Sequence, residues 1–250
     1  MVKLNAIKKY LDTELKIKGW PDHSKNGLQI RCKDDVYRIG FAVDSCLTTF
    51  EKAKRAKVDL LIVHHGLKWH KQKYKDLTKK REDFLKKNNI SLYGVHLPLD
   101  GNGKYGNNIG LIKIAGAENP KLFHNYQGKK IGFKGIFSKP VSINTTAKRL
   151  NNALKTKSKV YSFGKKQIRS IGIVSGGGAE AIGDCVKEKL DCFVVGEIPL
   201  SAYHRAKDYK LNMIVAGHYA TETVGVNALM KPIKERFEVD VIFIENFVNL

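Results

Sequence analysis

The sequence lacks long apolar runs and has few cysteines. Among its 250 residues, no apolar stretch approaches the roughly 20 that a helix needs to cross a bilayer, so we expect no membrane association. The N-terminus, MVKLNAIKKYLDTEL, has the spacing of an amphipathic helix and not the continuous apolar segment of a secretory signal. The four cysteines form no CxxC pair. We therefore expect reduced thiols and a cytoplasmic protein.

Acidic residues are also scarce relative to basic ones. The chain has 45 lysines and arginines against 24 aspartates and glutamates, which gives a formal net charge of +21. Networks of surface ion pairs need comparable numbers of both signs, so they do not account for this surplus. Two alternatives remain open: a surface that binds a polyanion such as DNA, and a basic surface that is only solvated.

Two stretches of the chain share one layout: RIGFAVDSCLTTFEKAKRAKVDLLIVHHG and SIGIVSGGGAEAIGDCVKEKLDCFVVGEI. Each opens with a β-type run (39–43 and 171–174), continues through a turn and a charged helical segment, and closes with a second run (60–63 and 192–195). This order is typical of two parallel strands joined by a helical crossover. The chain therefore resembles itself, and each half places polar groups at the carboxyl ends of its strands, where open α/β sheets bind ligands.

The division between the halves is predicted near Pro120 to Gly128. There the segment ENPKLFHNYQGKK interrupts the periodic pattern, IGFKGIF begins a new strand, and VDVIFIE forms the last one. We predict an α/β fold with two related domains, residues 1–120 and 121–250, each with a mixed sheet flanked by helices.

Two adjacent histidines, His64 and His65, end one of the apolar runs in VHHGLKW. Neighbouring side chains in a strand point to opposite faces, but at a strand end the chain can turn and aim both at one cleft. Metal ligands, an acid/base pair and ordinary polar residues are the alternatives. The pairing at a carboxyl end favours ligation.

Two further segments carry groups of the same kind. GVHLPLDGNGKYGNN places His96 and Asp100 after another strand, either as functional groups or as a turn with a capping aspartate. AGHYATETVG places His218 and Glu222 four residues apart, so a helix starting there would put both on one face. The alternative for Glu222 is that it only complements the helix N-terminus.

A glycine run, SGGGAE at residues 175–180, lies between a strand and a predicted helix. Backbone N–H groups in such a turn can cradle a phosphate, although the lysine and serine or threonine of a P-loop are missing. Tight packing at the strand–helix turn is the other explanation for the glycines.

Together these segments supply imidazole and carboxylate donors without a thiolate: His64, His65, Asp100, His218 and Glu222. Such a set suits Zn, Fe, Mn or Ni. Five ligands exceed the needs of one four-coordinate zinc with an open position, and they suit two bridged divalent metal ions.

These motifs resemble those of the Nif-three-like (YbgI-type) family, catalogued as GTP cyclohydrolase I type 2 homologues. The resemblance covers nearly the whole chain and rests on WPDHSKNGLQI, VHHGLKW, HLPLDGNGKYGNNIGL, SGGG with VVGEIP, and GHYATE in the same order. Gly66 stands where many relatives have proline. The resemblance implies a dinuclear metal site in the cleft between the two domains, held by the same five ligands. It also implies a toroidal homohexamer, with His96 close to the metals, either behind their ligands or facing the substrate.

Two classes of function follow from these features. The first is a dinuclear metal-binding protein whose basic surface binds single- and double-stranded DNA without sequence preference, because lysine contacts phosphates whereas bidentate reading of guanine favours arginine. The stretches WHKQKYKDLTKKREDFLKK and AKRLNNALKTKSKVYSFGKKQIR carry this hypothesis. The alternative is a metal-dependent hydrolase acting on GTP or another phosphate-bearing small molecule, with His96 moving a proton, or a metal-delivery protein.

Overall fold

The computed structural model describes residues 1–70 and 74–248. Lys71, Gln72 and Lys73 of the first basic stretch lie outside the described residues. The chain divides into two compact units. They are Met1–Leu99 with Val226–Asn246, and Asp100–Gly225 with the described residues that follow Asn246.

The secondary structure alternates between strands and helices along most of the chain. Up to residue 115 the elements are β1 (Val2–Lys3), α1 (Leu4–Glu14), β2 (Gly27–Ile30), β3 (Asp35–Val36), β4 (Arg38–Asp44), α2 (Leu47–Arg55), β5 (Leu60–His65), α3 (Lys75–Lys87), β6 (Ser91–Gly94), α4 (Leu97–Asp100) and α5 (Asn107–Ala115). The later elements are β7 (Glu118–Tyr126), β8 (Lys129–Ser142), α6 (Ile143–Leu154), β9 (Lys159–Tyr161), β10 (Gln167–Val174), a 3₁₀ turn (Ala179–Ala181), α7 (Ile182–Lys187), β11 (Cys192–Val195), α8 (Leu200–Asp208), β12 (Asn212–Val215), α9 (His218–Phe237) and β13 (Asp240–Phe243).

The first unit is built on a sheet with the strand order β13-β4-β5-β6-β2. The strands from β13 to β6 pair in parallel, and β2 pairs with β6 antiparallel. The run Leu60–Val63 in the middle of the sheet is fully buried, as expected for a parallel strand covered on both faces. Phe50, Leu61, Val63, Leu85 and Leu92 belong to the core cluster between this sheet and its helices.

The second unit has a sheet with the order β7-β8-β10-β11-β12-β9. Its central strands β10, β11 and β12 are parallel, while β7, β8 and β9 pair antiparallel at the two sides. A core cluster joins α5 and α6 to one face of this sheet. It includes Ile112, Leu150, Ile171, Val194 and Ile214.

The predicted fold class is confirmed, because both units have mixed sheets flanked by helices. The internal repeat is also present in the structure, because corresponding strands of the two halves pair in the same way. Ile39 of β4 lies opposite Leu60 of β5, and Ile171 of β10 lies opposite Cys192 of β11, both in parallel pairs. The strand–helix–strand pattern predicted for each half is therefore confirmed.

The bounds of the two units differ from the predicted domains 1–120 and 121–250. The segment at 118–126, predicted to interrupt the pattern, is strand β7, which forms a hairpin with β8 through Gln127 and Gly128 in left-handed backbone conformations. The last strand, β13, lies in the sheet of the first unit beside β4. Strands β7 and β13 owe their places in the fold to pairing with β8 and β4. The residue pattern of a single segment does not indicate which strand it will pair with.

The prediction of reduced thiols is borne out. All four cysteines are free thiols, with Cys185 and Cys192 buried. In the part of the chain that the structure describes, no helix combines the length and apolar character required to cross a membrane.

Candidate metal-binding groups

His64 and His65 are the last two residues of β5, at the carboxyl end of the parallel sheet. His64 is fully buried, and its Nδ1 lies 3.0 Å from the carbonyl oxygen of Val95. A carbonyl oxygen only accepts hydrogen bonds, so Nδ1 carries a proton, and in the neutral ring the lone pair lies at Nε2. This is the tautomer that binds a metal through Nε2.

His65 and His96 are held in the same manner by carboxylates. His65 Nδ1 lies 2.8 Å from Asp44 Oδ1, and His96 Nδ1 lies 2.9 Å from Asp22 Oδ1. Burial acts to raise the pKa of Asp22, but His96, through its hydrogen bond and charge, and the hydrogen bonds from Asn26 and the Ser24 N–H together outweigh burial and hold that pKa below its usual value. Both imidazoles therefore donate through Nδ1 and direct Nε2 away from the carboxylate.

The three imidazoles of the first unit lie against one another. The ring centroids of His64 and His65 are 4.7 Å apart, and that of His96 lies 5.1 Å and 5.6 Å from them. One ring nitrogen from each lies within 4.8 Å of the others. Histidines that bind metals characteristically donate their second ring nitrogen to a carboxylate or backbone carbonyl, as all three do here. The group has the donors and the outer partners of a metal site.

Gln29 braces the loop that follows the two histidines. Its Oε1 accepts hydrogen bonds from the backbone nitrogens of Leu67 (2.7 Å) and Lys68 (3.1 Å), and its Nε2 donates to Lys25 O (2.6 Å). A Cβ at Gly66 would lie 2.2 Å from that Nε2, so the glycine allows the amide of Gln29 to pack directly on the loop.

Asn26 and Asp22 fix the backbone on either side of His96. Asn26 Oδ1 accepts the His96 N–H at 2.7 Å, and Asp22 Oδ2 accepts the Leu97 N–H at 3.0 Å. The NGLQ segment, which the sequence offers only as part of a family motif, thus supports the histidines through hydrogen bonds from β2 and the residues before it.

In the second unit, His218 is the first residue of α9 and Glu222 lies one turn later, as the spacing predicts. His218 Nε2 lies 3.2 Å from Glu222 Oε1, and His218 Nδ1 lies 3.0 Å from Glu197 Oε1. Burial acts to lower the pKa of His218, but Glu222 and then Glu197 outweigh it and raise the pKa to about 9. Binding of a metal at Nε2 therefore requires that this nitrogen give up its proton.

Asp100 is buried in the second unit and is held by polar side chains from two segments. Its Oδ1 accepts hydrogen bonds from Asn107 Nδ2 (2.8 Å) and Ser175 Oγ (2.9 Å). Asn108 completes the arrangement by accepting the Ser175 N–H at 2.7 Å. The two asparagines of GNN and the serine before the glycine run therefore set the position of the carboxylate.

Close packing, one of the two explanations for the glycine run, is present at two of its three glycines. Gly176 has a φ of +60°, and a Cβ on it would lie 2.2 Å from Glu222 Oε1 and 3.0 Å from His218 Nε2. A Cβ on Gly178 would lie 2.2 Å from Val174 Cγ1. A side chain at position 176 would occupy the space beside the His218–Glu222 pair.

Each unit, taken by itself, brings some of the predicted residues together. His64 and His65 lie with His96 in the first unit, and His218 contacts Glu222 in the second, where Asp100 has its own hydrogen-bonded setting. The sequence did not point to Asp44 and Asp22, the carboxylates that hold the rings of His65 and His96. One signal could have found Asp44: it ends β4 and pairs in register with His65 at the end of β5.

The chain is similar along its whole length to known proteins. The sequence model of the Duf34/NIF3 (NGG1p interacting factor 3) family matches residues 2–249. Two curated relatives, from Pyrococcus horikoshii and Pyrococcus abyssi, are each named GTP cyclohydrolase 1 type 2 homolog. They are 44% and 43% identical to this chain, cover 98% of it, and are themselves covered over 99% and 98% of their lengths.

Solved structures share the fold. TTHA1606 from Thermus thermophilus has a TM-score of 0.90 at 35% identity, with 100% of both chains covered. The protein ybgI, described as of unknown function, has a TM-score of 0.92 at 27% identity, again over 100% of both chains.

Proposed function

Because this chain belongs to the Duf34/NIF3 family, we propose that it binds two divalent metal ions through a mixed set of imidazoles and carboxylates. The proposed ligands are His64, His65, Asp100, His218 and Glu222. One observation carries the proposal: His64 and His65 each donate through Nδ1 to a fixed oxygen acceptor, which leaves Nε2 available to a metal, and one ring nitrogen of each belongs to the same group of donors.

The donor chemistry fits such ions. Imidazole nitrogen with carboxylate oxygen and no thiolate suits Zn, Fe, Mn or Ni. When bound, a divalent ion supplies Lewis-acid chemistry toward an oxygen of a substrate. The contribution of the chain is to hold the donors: Asp44 orients His65, Glu197 orients His218, and Ser175 fixes Asp100.

The test is elemental analysis of protein purified without added metal, followed by reconstitution of the metal-stripped protein with Zn²⁺, Fe²⁺, Mn²⁺ and Ni²⁺ in turn. We expect two equivalents per chain with the best-fitting ion, because five ligands exceed the needs of one four-coordinate ion. Less than a tenth of an equivalent both as purified and after every reconstitution would overturn the proposal.

We propose DNA binding as a second function, on the evidence of surface charge. The net charge is +21, and α3 exposes Lys75, Lys79 and Lys80, while Lys155 and Lys157 are exposed beyond the end of α6. Lysine side chains contact phosphates as point charges without reading bases. Binding should therefore tolerate any sequence and extend to both single and double strands.

Replacing Lys75, Lys79 and Lys80 with glutamine is expected to weaken duplex binding and to reduce the steepness of its salt dependence. Each lost phosphate contact removes about 0.9 from the slope of log K against log salt. Fluorescence anisotropy titrations with a labelled duplex at several salt concentrations would measure both quantities.

The matched control removes the same charge from lysines that are ion-paired on the surface, Lys3, Lys8 and Lys231. Equal slopes for the two triple variants would contradict a defined surface on α3. Wild-type protein that binds no duplex at low salt would overturn DNA binding altogether.

A hydrolase acting on GTP or another phosphate-bearing small molecule is the alternative that the relatives' names suggest. Metal-loaded protein that releases no product from GTP would count against it. The homohexamer also stays a prediction, and light scattering coupled to size exclusion would test it by giving the mass in solution as a multiple of the 28.1 kDa chain.

A further inference from the structure

We propose that a cavity in the second unit binds a free amino acid with an aromatic side chain. Such a molecule is a small zwitterion whose ring, ammonium and carboxylate each meet a matching part of the cavity wall. The lining residues come from β9, from the end of β12, and from the first turn of α8 with the segment before it. This inference goes beyond the metal and DNA binding proposed above and depends on neither of them.

The walls of the cavity are mainly apolar and aromatic. Its volume is about 310 Å³, at the lower end of the roughly 300–1,000 Å³ that is usual for small-molecule sites. The side chains that supply these walls are Tyr161, Ile198, Leu200, Tyr203 and Val215. Leu200 is 74% exposed, so a ring bound against it would remove apolar surface from water. A cavity of this size and lining suits a ligand with a single small ring system.

Strand pairing places three of the lining residues on one face of the sheet. Tyr161 and Lys159 are two residues apart on β9, and Lys159 lies opposite Val215 of β12 in an antiparallel pair. Residues two apart on a strand, and residues directly opposite in such a pair, point to the same face. This wall of the cavity is therefore built on a sheet and not on a loop.

Aromatic contacts hold the two tyrosine rings of the cavity in place. The rings of Tyr161 and Phe163 are stacked with centroids 5.8 Å apart, and Tyr203 meets them edge-on at 5.2 Å and 5.3 Å. Offset and edge-to-face pairs are the favoured arrangements of aromatic side chains. A ligand ring in the cavity would extend this cluster, and because the tyrosines are already ordered, binding costs little further side-chain entropy.

Two charges of opposite sign line the same cavity and define the class of ligand. Lys159 supplies an exposed ammonium, and Glu197 supplies a carboxylate on a side chain that is 47% exposed. Glu197 Oε1 lies 3.0 Å from His218 Nδ1, but a carboxylate has about four acceptor positions, so it can also accept from a ligand. The ammonium of an amino acid matches Glu197, and its carboxylate matches Lys159.

The same two charges argue against a phosphate-bearing ligand in this cavity. A phosphate monoester carries about −1.5 to −2 charges at neutral pH, so one lysine would attract it while the Glu197 carboxylate repels it. A zwitterion leaves neither charge of the cavity unmatched. The occupant that fits best is therefore an aromatic amino acid and not a nucleotide.

The test is isothermal titration calorimetry of L-tryptophan and L-phenylalanine into the purified protein, both as isolated and after removal of metal. We expect saturable binding at one site per chain for at least one of them. The analogues without a carboxylate (tryptamine, phenethylamine) and without an ammonium (indolepropionate, phenylpropionate) should bind at least ~10-fold more weakly, because each loses a charge-assisted hydrogen bond.

Two variants locate the site, and a third is their control. Lys159→Gln should bind the amino acid and its carboxylate-free amine with similar affinity, a change in preference that a general loss of structure would not produce. Leu200→Ser should weaken binding of the amino acid about fivefold by removing apolar contact. Lys207→Gln removes the charge of an exposed lysine on α8 outside the cavity lining and should bind as wild type. Circular dichroism would report the fold of each variant.

The proposal would be overturned if neither amino acid bound at millimolar concentration. Tighter binding of adenosine monophosphate than of either amino acid would also overturn it, by assigning the cavity to a phosphate-bearing ligand. Wild-type affinity and preference in both Lys159→Gln and Leu200→Ser would place the binding site elsewhere. Because the titrations include metal-free protein, these outcomes are independent of whether the chain binds metal.

Discussion

Replacing Glu222 with glutamine is expected to lower the affinity for divalent metal by more than about a hundredfold. Glutamine has the shape of glutamate but no charge, so the change removes a buried anionic donor and little volume. Glu222 is 3% exposed and contacts His218 Nε2. Loss of an outer-shell partner alone costs about 10–100-fold in affinity, and loss of a ligand should exceed it.

The measurement is calorimetric titration of metal-stripped protein, supported by the thermal midpoint with and without metal. Because a ligand that binds only the native state raises stability by mass action, wild-type protein should show a larger rise in Tm than Glu222→Gln at the same metal concentration. Glu235→Gln, on an exposed face of the same helix, is the control and should behave as wild type. A Glu222→Gln variant with wild-type affinity would remove Glu222 from the ligand set.

Replacing Gln29 with alanine is expected to destabilise the metal-free protein by about 2–4 kcal/mol and to weaken metal binding as well. The substitution removes the acceptor of the buried Leu67 N–H and of the part-buried Lys68 N–H. A buried donor left without its acceptor costs about 1–3 kcal/mol, and the part-buried donor, which water can reach, costs less. His64 and His65 directly precede this loop, so a loosened loop also weakens the orientation of their rings.

Urea denaturation of metal-free protein would report the loss of stability as a lower midpoint at an unchanged m-value. Gln167→Ala supplies the control, because Gln167 lies exposed on β10 and its removal should leave both the midpoint and the metal affinity unchanged. A midpoint of Gln29→Ala equal to that of the wild type would contradict the bracing role of Gln29.

The sequence predicted much of the fold because its strands carry their own signal. The buried runs at 60–63 and 192–195 are continuous and apolar, and each follows a charged helical segment, so their parallel pairing with β4 and β10 could be inferred. The family suggested by the motifs is also confirmed over residues 2–249. Both inferences depend only on patterns and motifs that follow one another along the chain, and a single sequence contains these.

The sequence predicted less where the partner of a strand lies far away. The residue pattern of strand β13 does not indicate which sheet it joins. Only its parallel pairing with β4, some 200 residues earlier, assigns it to the first unit. Strand β7 carries a proline and many exposed residues, which weakened its pattern, yet it pairs with β8 over most of its length. Pairing energy in sheets comes from neighbours across strands, so it is invisible to a scan of one segment.

The sequence by itself determined which donor types the candidate site contains. They are the two histidines at the end of β5, Asp100 shortly before the GNN segment, and His218 and Glu222 one helical turn apart. Tertiary structure alone decided how each ring is held, since Asp44, Asp22 and Glu197 meet their histidines only after the strands align. It also decided that His96 joins the ring nitrogens of His64 and His65. The physical reason is that donor types follow from residue identity, whereas ring tautomer and direction follow from hydrogen bonds made across the fold.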